Sequence, residues 1–244
     1  MIAAPLNTLA KIAGSASALC NRVRRLPQRL ARDRSGVAFV EFAFTAPIVL
    51  SMGMLGTETA YYVITHMQVS QLAMQVADNV SRVGEQDVLV ARRVFESDIN
   101  ASLVGAEKLG ETFQIFERGR VIISSLQRNA DDGQWIAWQR CRGARVHNSR
   151  YGNQGDGATG TAFQGMGKPG QLITAANGTA VIFIEISYEY DSLTPFTVYD
   201  GQEITYTAAF NVRDNRNLAG LFQRDPNDPD PVASCNVYSA DRPV

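Results

Sequence analysis

Residues 34–57 read RSGVAFVEFAFTAPIVLSMGMLGT, and from Val37 to Thr57 the only charged side chain is Glu41. A helix needs about 20 consecutive, mostly apolar residues to cross the hydrocarbon core of a bilayer, and this run has that length. Pro47, Gly53 and Gly56 are residues that membrane helices tolerate better than soluble ones. Two other readings fit less well. A buried core helix is normally shorter and patterned. The apolar stretch of a secretory signal spans about 7–15 residues and ends in a small-residue cleavage site, which does not follow here. The run therefore predicts a single transmembrane helix over residues 37–57.

Working outward, residues 1–36 carry Lys11, Arg22, Arg24, Arg25, Arg29, Arg32 and Arg34 against one acid, Asp33, a net +6. The other residues carry 16 basic and 23 acidic side chains, a net −7. The chain of 244 residues is thus nearly neutral at −1 only by cancellation. A basic head abutting an apolar run points to a cytoplasmic N-terminus beside a membrane rather than to a nucleic-acid partner. Residues 1–36 read as a basic cytoplasmic leader with no core of its own.

Beyond the span, residues 58–84 place Val69, Leu72, Val76 and Val83 at helical spacing with Val80 beside them, and Gln68, Gln71, Gln75 and Asp78 on the other faces. This predicts an amphipathic extension of the same helix. A further domain, 85–244, is expected to be α+β. Residues 85–108 suggest a second helix through Val90, Val94 and Leu103, and FQIFERGRVIISSLQRN from Phe113 suggests two strands about a glycine turn. Asp132-Gly133 offers a turn before QWIAWQR, in which strict alternation would put Trp135 and Trp138 on opposite faces. Residues 143–170 hold eight glycines and read as a long loop that is mobile or faces a partner. VIFIEISYEY (181–190) and ITYTAAFNVR (204–213) then alternate apolar and polar side chains, as in an antiparallel sheet with one wet face. The expected sheet has four to six strands, and the Pro- and Asp-rich end is irregular.

The junction RDRSGVAFVEFAFTAP resembles a type IV prepilin signal: a basic flank, Gly36, then an apolar helix with Glu at its fifth position, Glu41. More narrowly, Gly36, Val40, Glu41, Phe42, Ala43 and Pro47 resemble the core of the TadE/TadG family of tight-adherence pilus proteins. The C-terminal strands, with their Y-x-Y, Pro and A-x-x-x-R elements, resemble the pattern that closes many of its members. The resemblance implies a minor pilin or pseudopilin of a Tad/Flp pilus, cut between Gly36 and Val37 by a prepilin peptidase. It places the chain in the bacterial inner membrane, single-pass, with a periplasmic C-terminal domain. It implies as partners the membrane, a major pilin, a sister pseudopilin, the inner-membrane Tad secretion machinery and the peptidase. Glu41 would pair with the new α-amine of a neighbouring subunit and set axial register, since an ionisable group within a span is costly without a partner. Alone, Glu41 sits near enough to the end of the span to reach the headgroups. The 36-residue leader is long for a prepilin. The alternative is an unprocessed membrane-anchored periplasmic scaffold, binding or adhesion module that uses the 143–170 loop.

Of three cysteines, Cys20 lies in the leader, and Cys141 and Cys235 in the body. In an oxidising compartment the latter two are expected to pair rather than remain separate thiols. No catalytic or cofactor site is expected. Cys141 and His147 lack third and fourth zinc ligands, G-x-S-x-G is absent, and GDGATGT lacks the Lys and following helix of a phosphate loop. Ala18-Leu19-Cys20 is a poor lipoprotein box, because Leu19 stands where a small residue is wanted.

Overall fold

The computed structural model describes residues 35–87, 90–194 and 199–243. Most of the leader and Cys20 lie outside the described residues. The chain divides into two compact units, residues 1–56 and 57–244.

The described part of the first unit is the start of helix α1, Ser35–Arg82. Val37, Phe39, Val40, Phe42, Phe44, Ile48, Val49, Leu50, Met52, Met54 and Leu55 are all exposed on it. Side chains so apolar and so bare want a hydrocarbon solvent. An 18-residue window of this helix has mean hydropathy 1.8 and none of it is buried, so by length and composition α1 can cross a membrane. Pro47 lies inside the helix and has no N–H to donate. Local hydroxyls bond the carbonyls nearby: Thr45 Oγ1 donates to the Glu41 carbonyl at 2.9 Å and Ser51 Oγ to that of Pro47 at 2.7 Å.

In the second unit, α1 buries Val69, Leu72, Ala73, Val76, Ala77 and Val80, the i, i+3, i+4, i+7 stripe the sequence announces. After α1 come strands β1 (Glu85–Asp87) and β2 (Val90–Arg93), helix α2 (Glu96–Leu109), a 3-10 turn (Glu111–Phe113) and a single turn α3 (Ile115–Arg118). Then follow β3 (Gly119–Arg128), β4 (Gln134–Arg142), the short pair β5 (Met166–Lys168) and β6 (Gln171–Ile173), β7 (Ala180–Glu189) and β8 (Glu203–Asn211). The main sheet is antiparallel, in the order β4-β3-β7-β8. One face, with Val121, Ile123, Ile182, Ile184 and Ile186, packs on the α1 stripe together with Ile99 and Leu103 of α2. Each fully buried Val or Ile there contributes about 1.5–3 kcal/mol.

The sheet differs from expectation in having no wet face at its centre. Every residue of β7 from Ala180 to Tyr188 is buried. Leu126, Ile136, Val181 and Phe183 on the second face are covered by Met166 and Ala175, with Tyr151, Phe163 and Ile173 packed alongside. The 143–170 segment is therefore, in part, a lid on the core. Its glycines permit the close approach: a Cβ on Gly157, at φ +76°, would lie 2.2 Å from the Gln134 carbonyl oxygen.

Three further expectations are corrected. β1 and β2 pair as antiparallel strands instead of starting a helix, because β2 is captured by distant chain: Arg92 N–H donates to the Asn215 carbonyl and Phe222 N–H to that of Val94. Only α2 keeps the helical reading. FQIF is not a strand; Gln114 is left-handed at φ 51°, and the turns around it drive Phe113, Ile115 and Phe116 into the core together. Finally, the β3–β4 register shifts between Ser125 and Leu126. Trp138 pairs with Ser125 and Trp135 with Gln127, so the bulge sets both tryptophans on one face, where Trp138 joins the helix-side core.

Candidate functional site

The resemblance singled out Gly36, Val37 and Glu41, and all three lie exposed on α1. A Cβ on Gly36 would meet nothing within 4 Å, so the bond after it is sterically open. Val37 and Glu41 are one helical turn apart on the same face, about 6 Å along the axis. Among the described residues no cation or hydrogen-bond donor reaches the Glu41 carboxylate.

The second unit begins with a polar cluster that the sequence reading missed. Glu58 is the second residue of that unit and only 1% exposed. Its carboxylate accepts from the Tyr190 hydroxyl at 2.8 Å, the Leu193 N–H at 3.2 Å and the Thr194 hydroxyl at 3.3 Å. Rings surround it. Tyr62 stacks on Tyr199 with centroids 4.6 Å apart and meets Tyr190 edge-on at 4.9 Å. His66 Nδ1 shares a hydrogen bond with the Tyr206 hydroxyl at 3.2 Å, and burial lowers its pKa below the ordinary imidazole value. Burial first, then the bond to Glu58, pushes the Tyr190 phenol up. The cluster clamps the 58–66 turns of α1 to β7, β8 and the loop between them. The available signal was an acid followed closely by two tyrosines, immediately after the apolar run.

Cys141 and Cys235 form a disulfide with Cα atoms 4.7 Å apart. Beside it lies Arg120, 1% exposed and without an acid. It donates to the carbonyls of Gly143 (3.0 Å), Val237 (3.0 Å) and Cys235 (2.7 Å), and lies 4.1 Å over the Tyr238 ring. Burial lowers its pKa. Arg142 bonds Glu107 at 2.9 Å and the Ala240 carbonyl at 2.7 Å; those Arg142 contacts, with Arg242, hold the Glu107 carboxyl below the usual range. The C-terminal segment is thus pinned by one covalent bond and two arginines.

His147 Nε2 donates to the Glu185 carboxylate at 2.9 Å, and Ser149 Oγ donates to the same carboxylate at 2.8 Å. Hydroxyl and imidazole converge on an acid instead of on each other, which is not the relay that activates a nucleophile. Among the described residues no three His, Cys, Asp or Glu side chains group as metal ligands.

A long, exposed apolar helix leading into an antiparallel-sheet domain defines a membrane-anchored α+β protein. Residues 36–78 match the family of TadE-like proteins, the family that the Gly36–Pro47 segment resembles. No curated protein and no solved structure matches the chain significantly.

Proposed function

We propose that the protein is a minor pilin or pseudopilin of a tight-adherence pilus, a structural component of its assembly with no catalysis of its own. The Val37–Thr57 segment anchors it in the bacterial inner membrane, with the N-terminus cytoplasmic and residues 85–244 in the periplasm. One observation carries the reading: the TadE-like match begins at Gly36, the residue before the proposed new N-terminus, and takes in the apolar segment 37–57, whose lone acid is Glu41. The Glu41 carboxylate, without a partner of its own among the described residues, suits the α-amine of Val37 on a neighbouring subunit. The Cys141–Cys235 bond suits an oxidising compartment. A major pilin, a sister pseudopilin, the Tad secretion machinery and a prepilin peptidase are the partners that follow.

The test is the N-terminal residue of the protein recovered from cells with and without a prepilin peptidase. A start at Val37 that depends on the peptidase supports the pseudopilin. An intact leader removes filament insertion and leaves an unprocessed anchored scaffold.

A further inference from the structure

The main sheet has two edges, and they are treated differently. On β4 the outward amides of Ile136, Gln139 and Cys141 have acceptors. Ile136 N–H donates to the Asp156 carbonyl at 3.0 Å, Cys141 N–H to that of Ala233 at 2.9 Å, and Gly143 N–H, just past the strand, to that of Ser239 at 2.9 Å. Gln139 N–H donates to Gln154 Oε1 at 3.0 Å. Two outward carbonyls are also taken, that of Ile136 by Gly155 N–H at 2.8 Å and that of Gln139 by Arg140 at 2.7 Å. The glycine-rich loop and the disulfide-tethered tail close this edge together.

Among the described residues the β8 edge carries no such cover. At its two ends the ladder to β7 is fixed by Tyr190 N–H to the Gln202 carbonyl and Val212 N–H to that of Ala180, both 2.9 Å. The register joins even-numbered residues to even-numbered ones throughout, so the even residues of β8 spend their peptide groups on β7. In an antiparallel ladder the alternate residues point theirs the other way. Those are Thr205, Thr207 and Ala209, and among the described residues nothing accepts from or donates to their backbone. Thr205 and Thr207 are exposed. The strand EITYTAAFN has no bulge, Pro or Lys, the devices by which edge strands avoid pairing.

We propose that the β8 edge is a docking surface for β8 of a second copy of this chain, antiparallel and centred on Thr207. The strand is complementary to itself in that register. Thr207 faces Thr207, a favourable cross-strand pair, and Thr205 faces Ala209. Glu203, whose carboxylate is held within its own chain by Ser187 and Arg150, faces Asn211. Moving the centre to residue 203 sets Glu203 against Glu203, which opposes that register. Because β4 is closed, the main sheet offers a single free edge among the described residues. The contact is therefore isologous and ends at a dimer with one continuous eight-stranded sheet, instead of growing into a fibre.

The test uses the full chain in detergent or vesicles, in a Cys20→Ser background so that the leader thiol does not cross-link. With Thr207→Cys, mild oxidation is expected to give a disulfide-linked dimer, since paired residues of this kind sit about 5.5 Å apart at Cα. Thr205→Cys alone stays monomeric, whereas Thr205→Cys mixed with Ala209→Cys gives the heterodimer. Thr207→Pro removes only the outward N–H, which an edge strand tolerates. It is expected to raise the dimer dissociation constant by about thirtyfold, two symmetry-related hydrogen bonds being lost at once, while the Cys141–Cys235 bond and cooperative unfolding remain. The proposal is overturned if Thr207→Cys remains monomeric with the native disulfide intact, if it cross-links to a different chain and not to a copy, or if Thr207→Pro leaves the dimer unchanged.

Discussion

The Tyr190 hydroxyl donates to the Glu58 carboxylate at 2.8 Å, joining the end of β7 to a helical residue 132 positions earlier. Glu58 is buried, and Tyr61 and Tyr62 pack on the ring of the Tyr190 that bonds it. An acid in such a place is stable only while its donors stay in position. Tyr190→Phe removes the shortest of the three bonds and leaves two longer ones. It is expected to cost about 1–3 kcal/mol. Glu58→Leu removes the acid but strands the Tyr190 hydroxyl and the Leu193 N–H, and is expected to cost at least as much. Denaturant unfolding of the full chain in micelles, followed by tryptophan fluorescence, measures both.

Tyr188 and Tyr190 lead to a pH prediction. Burial raises the Tyr188 phenol from 10.0 to about 12 and raises Tyr190 as well. In the unfolded chain both titrate near pH 10, so the unfolded state releases these protons first. The stabilisation is complete below pH 10 and is lost as pH rises toward 12. Phenolate absorbance of the native protein should rise with the exposed tyrosines first and then jump on unfolding. A single smooth titration centred near the ordinary value would refute the sealed cluster.

Reducing the Cys141–Cys235 bond is expected to lower stability by up to about 4–5 kcal/mol, the chain-entropy figure for a loop of this order. Its local effect should be smaller than its global one, because Arg120 continues to hold the Cys235 and Val237 carbonyls. Arg120→Lys in the reduced protein should therefore release the tail, since a single ammonium cannot reproduce the planar fork. Limited proteolysis near residue 235 should be slow in either single change and fast in the combination.

Arg216 bonds the carbonyls of Ser81 at 3.1 Å and Val83 at 2.8 Å, at the C-terminal end of α1. There a cation meets unpaired carbonyls and the negative pole of the helix. Its burial pulls the guanidinium down to about 10, still charged at neutral pH. Arg216→Met is expected to fray the last turn of α1 and cost about 1–3 kcal/mol, read as faster amide exchange confined to residues 79–83.

If the proposed pilus role is right, Glu41→Ala should leave insertion, domain stability and cleavage at Gly36 intact while reducing incorporation into filaments at least tenfold. Gly36→Leu should instead block cleavage by crowding the scissile bond. Fractionation of membrane and sheared-filament pools separates these outcomes.

The anchor was legible because the solvent dictates it: a span must be apolar along its whole length, and one acid in it stands out. The α1 stripe and the alternation of β7 and β8 were legible for the same reason, as faces matched to a period. The β1–β2 pair was not, since its extended shape comes from Asn215 and Phe222, which lie far along the chain. FQIF imitates a strand, and only the left-handed Gln114 tells otherwise. The second buried face of the sheet was hidden because its cover is built from glycine, whose contribution is the closeness it permits and not a pattern. The Glu58 cluster was missed because its donors come from the β7–β8 connection.

The segment that closes β4 follows every strand of the sheet in chain order. A ribosome delivers Val69–Val80 long before Ile182 and Ile184 exist to cover them, and delivers Ala233, Cys235 and Ser239 only after β8. Until then the sheet has two open edges and can polymerise; afterwards it has one. A stalled or clipped chain is thus marked by the exposed β4 edge, and any chaperone or protease that binds bare strands can tell an unfinished molecule from a finished one.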